Sequence, residues 1–204
     1  MVDLSSSRYP DAAALLRKQA VFLDRDGTLI RHREYLTDLS DLELCEETVE
    51  AVRRLNRNRI PAVVITNQSA VARGLLSEEG LMAIHSEIQA RLRHRGAFLD
   101  AFYYCPHHPT EGELPYRRNC RCRKPQPGLI VKASDELGLS PQLSFMVGDS
   151  QGDVEAGRRA GCRTVLIAET EGEGSHSPSQ SGCSADFVAA DVLQAVHWIL
   201  GEMV

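Results

Sequence analysis

Short apolar runs alternate with amphipathic stretches along the chain. The runs are Ala20-Val21-Phe22-Leu23, Ala62-Val63-Val64-Ile65, Leu99 to Tyr104, Phe145-Met146-Val147 and Thr164-Val165-Leu166-Ile167. Most are rich in β-branched or aromatic side chains, as parallel strands buried on both faces are. Between them, apolar residues recur at helical spacing. Val49, Val52 and Leu55 mark one face of a first helix, and Leu81, Ile84, Ile88 and Leu92 mark a longer one that Ser77 is placed to cap. Pro127 to Leu137 reads as a third helix, with Pro127 near its first turn and Gly138 at its end. Ser150 to Ala160 reads as a fourth, stopped by Gly161, and Ala190 to Leu200 as the last. Strand then helix, repeated, predicts an α/β fold, a Rossmann-like parallel sheet with helices on both faces.

In such sheets ligands gather beyond the carboxyl ends of the strands. The reactive residues fall there. Asp24 and Asp26 follow the first run, and Thr66, Asn67, Gln68 and Ser69 follow the second. Cys105 and His107 follow the third, and Asp149 follows the fourth. Two segments break the alternation. Pro106 to Pro125 is polar and holds a cysteine cluster, whereas Glu169 to Ser184 is rich in Ser, Gly and Glu with no apolar period. The second predicts a flexible surface loop over 169–184. No repeat or linker divides the sequence, so residues 1–204 are expected to form a single domain.

Composition narrows the partners. With 204 residues, 43% hydrophobic and 25% charged, the chain has the makeup of a soluble globular protein. A formal net charge of -5 gives no general electrostatic support for nucleic acid, so a phosphorylated ligand needs a local cluster of cations. No apolar run is long enough to span a bilayer, and Met1 to Pro10 does not read as a secretory signal. The expectation is a cytoplasmic protein with no membrane partner. Nothing in the sequence demands a second subunit, so a monomer is expected.

In Val21-Phe22-Leu23-Asp24-Arg25-Asp26-Gly27-Thr28-Leu29, two carboxylates flank one residue at the end of an apolar strand. Residues i and i+2 of an extended segment point to one side. One carboxylate can attack phosphorus, and a second beside it can protonate a leaving oxygen and then activate water. A simple turn at a strand end would also use Asp and Gly. Asp149 and Asp153 could likewise be acidic residues favoured at a helix N-terminus.

The six cysteines are unevenly placed. Cys105, Cys120 and Cys122 crowd into one segment, while Cys45, Cys162 and Cys183 are scattered and read as incidental small side chains. Three thiols and an imidazole complete a tetrahedral ligand set for zinc, with redox-active thiols as the alternative. A closed Cys₃His set leaves no open position, so the zinc is expected to be structural. Arg123 and Lys124 follow Cys122 directly, so fixing that thiol fixes where both cations point.

These motifs, in this order, resemble those of the haloacid dehalogenase-like phosphatases. D-x-D-G-T at Asp24 to Thr28 is similar to the first motif, and Val63-Val64-Ile65-Thr66 to the second. Lys124 in Cys122-Arg123-Lys124-Pro125 looks like the third, and Gly148-Asp149-Ser150-Gln151-Gly152-Asp153 like the fourth. The resemblance implies Asp24 as nucleophile, Asp26 as acid and base, and Thr66 and Lys124 as holders of the phosphoryl oxygens. It implies Mg²⁺ bound by Asp24, Asp149 and the backbone carbonyl of Asp26, with Asp153 in support, in keeping with that ion's preference for oxygen ligands.

The zinc loop joined to C-R-K-P, with Thr66-Asn67-Gln68-Ser69 and Ala72-Arg73-Gly74, narrows the resemblance. It is to the D-glycero-D-manno-heptose 1,7-bisphosphate 7-phosphatases, relatives of the histidinol-phosphate phosphatases. The family spacing selects His107 over His108 as the fourth zinc ligand beside Cys105, Cys120 and Cys122. The implied substrate contacts are Arg25, His32, Arg33, Tyr35, Asn67, Gln68, Ser69, Arg73, Arg123 and Ser150. Tyr35 fits the family pattern, whereas His32, Arg33, Glu34, Ala70 and Ser150 depart from it. The chain has no room between motifs for a large cap domain, so the zinc loop at 105–124 is expected to cover the site. The expected activity is Mg²⁺-dependent removal of the 7-phosphate from the heptose bisphosphate, a small phosphorylated sugar. A histidinol-phosphate or other small-phosphomonoester phosphatase is the alternative among enzymes. From another class, the alternative is a catalytically inactive zinc-containing binding module.

Overall fold

The computed structural model describes residues 18–168 and 184–203. Six parallel strands form one sheet: β1 (Val21–Leu23), β2 (Ala62–Asn67), β3 (Ala101–Cys105), β4 (Phe145–Gly148), β5 (Arg163–Ile167) and β6 (Phe187–Ala189). Their order across the sheet is β3-β2-β1-β4-β5-β6. The chain runs outward from β1 to β3, then returns to the centre and runs outward again from β4. The strand order therefore reverses between β1 and β4, and the crevice beyond that point is where an open α/β sheet binds its ligand.

Side chains alternate across the sheet and feed two cores. Val21, Leu23, Val64 and Val147 enter one, while Phe22, Val63, Ile65 and Met146 enter the other. Helices α1 (Thr48–Arg57), α3 (Glu78–His94) and α6 (Val192–Glu202) supply apolar faces to the first core. Helices α4 (Gly128–Leu137) and α5 (Gln151–Ala160) cover the second. The expected parallel sheet with helices on both faces is thus present.

Caps explain the helix ends. Ser77 accepts a hydrogen bond from the Gly80 amide at the start of α3. At α5, Ser150 accepts from the Asp153 amide and the Asp153 carboxylate accepts from the Ser150 amide, so Ser150 lies just outside the helix it was expected to open. Two elements go beyond the sequence expectation. Ser69–Ala72 forms a one-turn helix, α2, directly after β2. Phe187–Ala189 pairs with β5, and α6 begins after its cap Asp191, two residues later than the apolar pattern suggests. The apolar run Phe187-Val188-Ala189-Ala190 is the signal for this strand, and only Asp191 separates it from the apolar pattern of α6.

The loop between β3 and α4 spans the carboxyl edge, and among the described residues no separate cap module stands there. Apart from Ser184, the loop expected over 169–184 lies outside the described residues. None of the described helices is long and apolar enough to cross a membrane.

Candidate active site

Asp24 is buried at the tip of β1, where its amide donates to the Val147 carbonyl at 2.9 Å and extends the β1–β4 pairing by one residue. The chain then turns tightly, with the Leu29 and Ile30 amides both donating to the Arg25 carbonyl. Gly27 makes the turn possible. Its φ is +79°, and a Cβ there would lie 1.9 Å from Asp149 Oδ2. Only glycine lets the β1 loop approach the β4 loop this closely.

Lys124 enters from the loop after β3. Its buried ammonium lies 2.5 Å from Asp24 Oδ1 and 2.5 Å from Asp153 Oδ1, and donates to the Ile65 carbonyl at 2.9 Å. Asn67 holds its backbone reciprocally. The Asn67 Oδ1 accepts from the Lys124 amide at 3.0 Å, and Nδ2 donates to the Lys124 carbonyl at 3.1 Å. Burial alone would pull the ammonium down, but the carboxylates of Asp24 and Asp153 outweigh it and hold it above its ordinary value. Burial pushes the Asp24 carboxyl up to about 7 against the pull of Lys124, with Asp153 and Asp26 adding to the rise. Asp149 is also raised, by desolvation first and then by Asp153.

Asp26 is held by donors on two sides. Arg25 forks onto it, Nε to Oδ2 at 3.0 Å and Nη2 to Oδ1 at 2.9 Å. Gln68 Nε2 donates to Oδ2 at 2.7 Å and to Thr66 Oγ1 at 2.8 Å. The acid–base candidate, the Thr hydroxyl and the nucleophile candidate thus meet at the ends of β1 and β2.

Asp24, Asp149 and Asp153 bring carboxylate oxygens within 4.8 Å of one another. Three carboxylates face one ammonium, an excess of negative charge on hard oxygen donors that fits a divalent cation such as Mg²⁺. Both oxygens of Asp153 are already engaged, Oδ1 by Lys124 and Oδ2 by the Ser150 amide and hydroxyl. That leaves Asp24 and Asp149 as the carboxylates open to an ion, with Asp153 behind them.

Cys105, His107, Cys120 and Cys122 form a second cluster. The Cys105 sulfur is 3.5 Å from that of Cys120 and 3.3 Å from that of Cys122, and His107 Nδ1 is 3.3 Å from the Cys122 sulfur. A tetrahedral zinc with Zn–S near 2.3 Å has ligand–ligand edges of roughly 3.8 Å, so the cluster is close to the size zinc requires. His108 turns away, its Nδ1 accepting from the Thr110 and Glu111 amides.

Comparison with known proteins agrees with this geometry. Residues 121–195 match a family model described as HAD-hydrolase-like. The chain is 40% identical over 153 residues to a D-glycero-beta-D-manno-heptose-1,7-bisphosphate 7-phosphatase of Pasteurella multocida, covering 75% of this chain and 83% of that one. The enzyme of the same name from Vibrio cholerae is 35% identical over 185 residues, 91% of this chain and 98% of that one. The chain belongs to the heptose-bisphosphate phosphatase family. The crystal structure of the D,D-heptose 1,7-bisphosphate phosphatase of B. bronchiseptica, complexed with magnesium and phosphate, superposes with a TM-score of 0.78 at 30% identity. That match covers 90% of this chain and 99% of that structure. This member is accordingly a haloacid dehalogenase-like phosphatase, an enzyme that hydrolyses a phosphate ester.

In this heptose-phosphatase site most residues expected to meet substrate line two pockets, and some of them are also bonded to the protein itself. Arg25, His32, Arg33, Tyr35, Asn67, Gln68 and Ser69 line a pocket of 130 Å³ together with Asp26. Arg123 and Lys124 line another of 230 Å³, and Arg123 Nη1 donates to the His107 carbonyl at 3.1 Å. Several of the expected contacts are also held by the protein itself. Arg25 is buried with its guanidinium on Asp26 and Gln68, Asn67 clamps Lys124, and Ser150 caps α5. Arg73 pairs with Glu111 and lies over the Tyr35 ring at 5.3 Å. Sequence reasoning missed His85 behind Arg25. The one available signal was its position beside Ile84 on the apolar stripe of α3, where a histidine is out of place.

Proposed function

We propose that this enzyme removes the 7-phosphate of D-glycero-D-manno-heptose 1,7-bisphosphate through a phosphorylated Asp24. A free Asp24 oxygen attacks phosphorus in line while the bond to the sugar oxygen breaks. Asp26 gives its proton to that departing oxygen. Water then attacks the phosphorus of the aspartyl-phosphate, Asp26 takes a proton from it, and Asp24 is released with inorganic phosphate. Thr66 Oγ1 and Lys124 Nζ hold the equatorial oxygens, where positioning and charge supply most of the rate. Mg²⁺, held by Asp24, Asp149 and the Asp26 carbonyl, supplies further neutralisation of phosphoryl charge when bound. Zinc on Cys105, His107, Cys120 and Cys122 is structural and fixes the loop that delivers Arg123 and Lys124. The protein works as a single-domain monomer in the cytoplasm.

One observation carries this reading. Lys124 joins the Asp24 carboxylate to the loop that carries the Cys105, His107, Cys120 and Cys122 cluster. The substrate test is a panel of phosphorylated metabolites assayed with Mg²⁺, including both anomers of the heptose bisphosphate, histidinol phosphate and simple sugar monophosphates. The expected result is the highest kcat/KM on a heptose bisphosphate. A preference for histidinol phosphate would transfer the mechanism to that substrate. Absence of phosphate release from every compound would remove the enzymatic reading.

A further inference from the structure

We infer that His85 is a positioning residue for Asp26, acting through the guanidinium of Arg25. The imidazole is 2% exposed, in the middle of α3. It stacks on Phe102 with ring centroids 4.7 Å apart and meets the edge of Tyr104 at 5.9 Å. Its Nε2 lies 3.4 Å from Arg25 Nη1. A guanidinium offers only donors, so Nε2 must be the bare, accepting nitrogen and the proton must sit on Nδ1. Among the described residues that Nδ1 has no hydrogen-bond partner. A buried orphan N–H carries a desolvation cost that a leucine at this position would avoid. What the imidazole supplies in return is an acceptor for Arg25.

The rest of the guanidinium faces the site. Nε and Nη2 fork onto Asp26, and Nη2 also reaches Gln68 Oε1 at 2.8 Å. Among the described residues His85 supplies the side-chain acceptor for Nη1, on the edge away from Asp26 and Gln68. Holding that edge fixes the plane of the fork, and the fork fixes the plane of the Asp26 carboxylate. Burial, reinforced by Arg25, holds the imidazole down to about 3, so it stays neutral and does not repel the guanidinium. An acid–base group is effective only when its oxygen is within hydrogen-bond reach of the leaving oxygen, so small errors of placement reduce turnover.

This inference rests on Asp26 being the acid–base group. The test measures kcat and KM of wild type, His85→Leu, His85→Gln and Asp26→Asn on the heptose bisphosphate with Mg²⁺. Expected are a fall in kcat of about tenfold for His85→Leu with KM within about twofold, a part of what a placed acid–base group contributes. His85→Gln, whose side-chain oxygen reaches the Nε2 position, restores most of the loss. A packing role gives the reverse order, because Leu suits an apolar site better than Gln. Wild-type kcat in folded His85→Leu, with Asp26→Asn inactive, overturns the relay alone. Substantial activity in Asp26→Asn overturns the acid–base reading beneath it. A ring ¹⁵N–¹H correlation spectrum of wild type needs no variant to fold. It should show the proton on Nδ1, and a proton on Nε2 refutes the contact.

Discussion

Lys124 Nζ lies 2.5 Å from Asp24 Oδ1, although the two residues are 100 positions apart in the chain. The same ammonium reaches Asp153, so two buried carboxylates share one buried cation. Lys124→Met is therefore expected to lose both turnover and stability. Leaving buried charges unpaired costs about 3–5 kcal/mol, which denaturant unfolding would register as a lower midpoint. Near-native stability in that variant would mean the cation is not needed to offset the carboxylates.

Gly27 sets the distance between the β1 loop and the loop that carries Asp149. Gly27→Ala adds a Cβ that collides with Asp149 Oδ2 and strains a backbone at positive φ. The expected outcome is a rise in the Mg²⁺ concentration needed for half-maximal activity of about 10- to 100-fold, the range seen when groups that orient metal ligands are disturbed. Titration of activity with Mg²⁺ measures it directly.

The cysteine cluster should be required for the position of Lys124. Cys122→Ser is expected to lower zinc content, read by elemental analysis, and to lower Tm and kcat together because Lys124 lies two residues further on. Asp24→Asn should keep its zinc and lose only turnover. Full activity in zinc-free Cys122→Ser protein would separate the loop from the chemistry.

His85 gives a pH signature. Its folded value near 3 lies below its ordinary 6.5, so the unfolded chain binds this proton more readily than the folded one. The contribution is fully present above pH 6.5 and is lost as the pH falls toward 3, by up to about 1.4 kcal/mol per pH unit. Unfolding free energies of wild type should fall more steeply across that window than those of His85→Gln. Parallel curves would contradict the burial of a neutral imidazole.

The strand-then-helix rhythm made the sheet legible, because buried parallel strands are short and uniformly apolar. The catalytic edge followed from which residues end those strands. Other features depend on contacts the sequence does not encode locally. β6 is only three residues long and is parted from α6 by just Ala190 and Asp191, so its apolar run is easily read as part of the helix. Arg25, Asn67 and Ser150 are polar residues beside a site, which reads equally as substrate contact or as internal support. The structure shows the internal partners, which are Asp26, the Lys124 backbone and Asp153. His85 belongs to the same class, since its role depends on a guanidinium 60 positions away.

The phosphoryl transfer to Asp24 is tested most directly by acid-quenching the enzyme within the first turnover and mapping the modified peptide by mass spectrometry. The account predicts one phosphoryl group on the peptide carrying Asp24 in wild type and none in Asp24→Asn. Turnover that proceeds without a phosphorylated Asp24, or survives in Asp24→Asn, would contradict it.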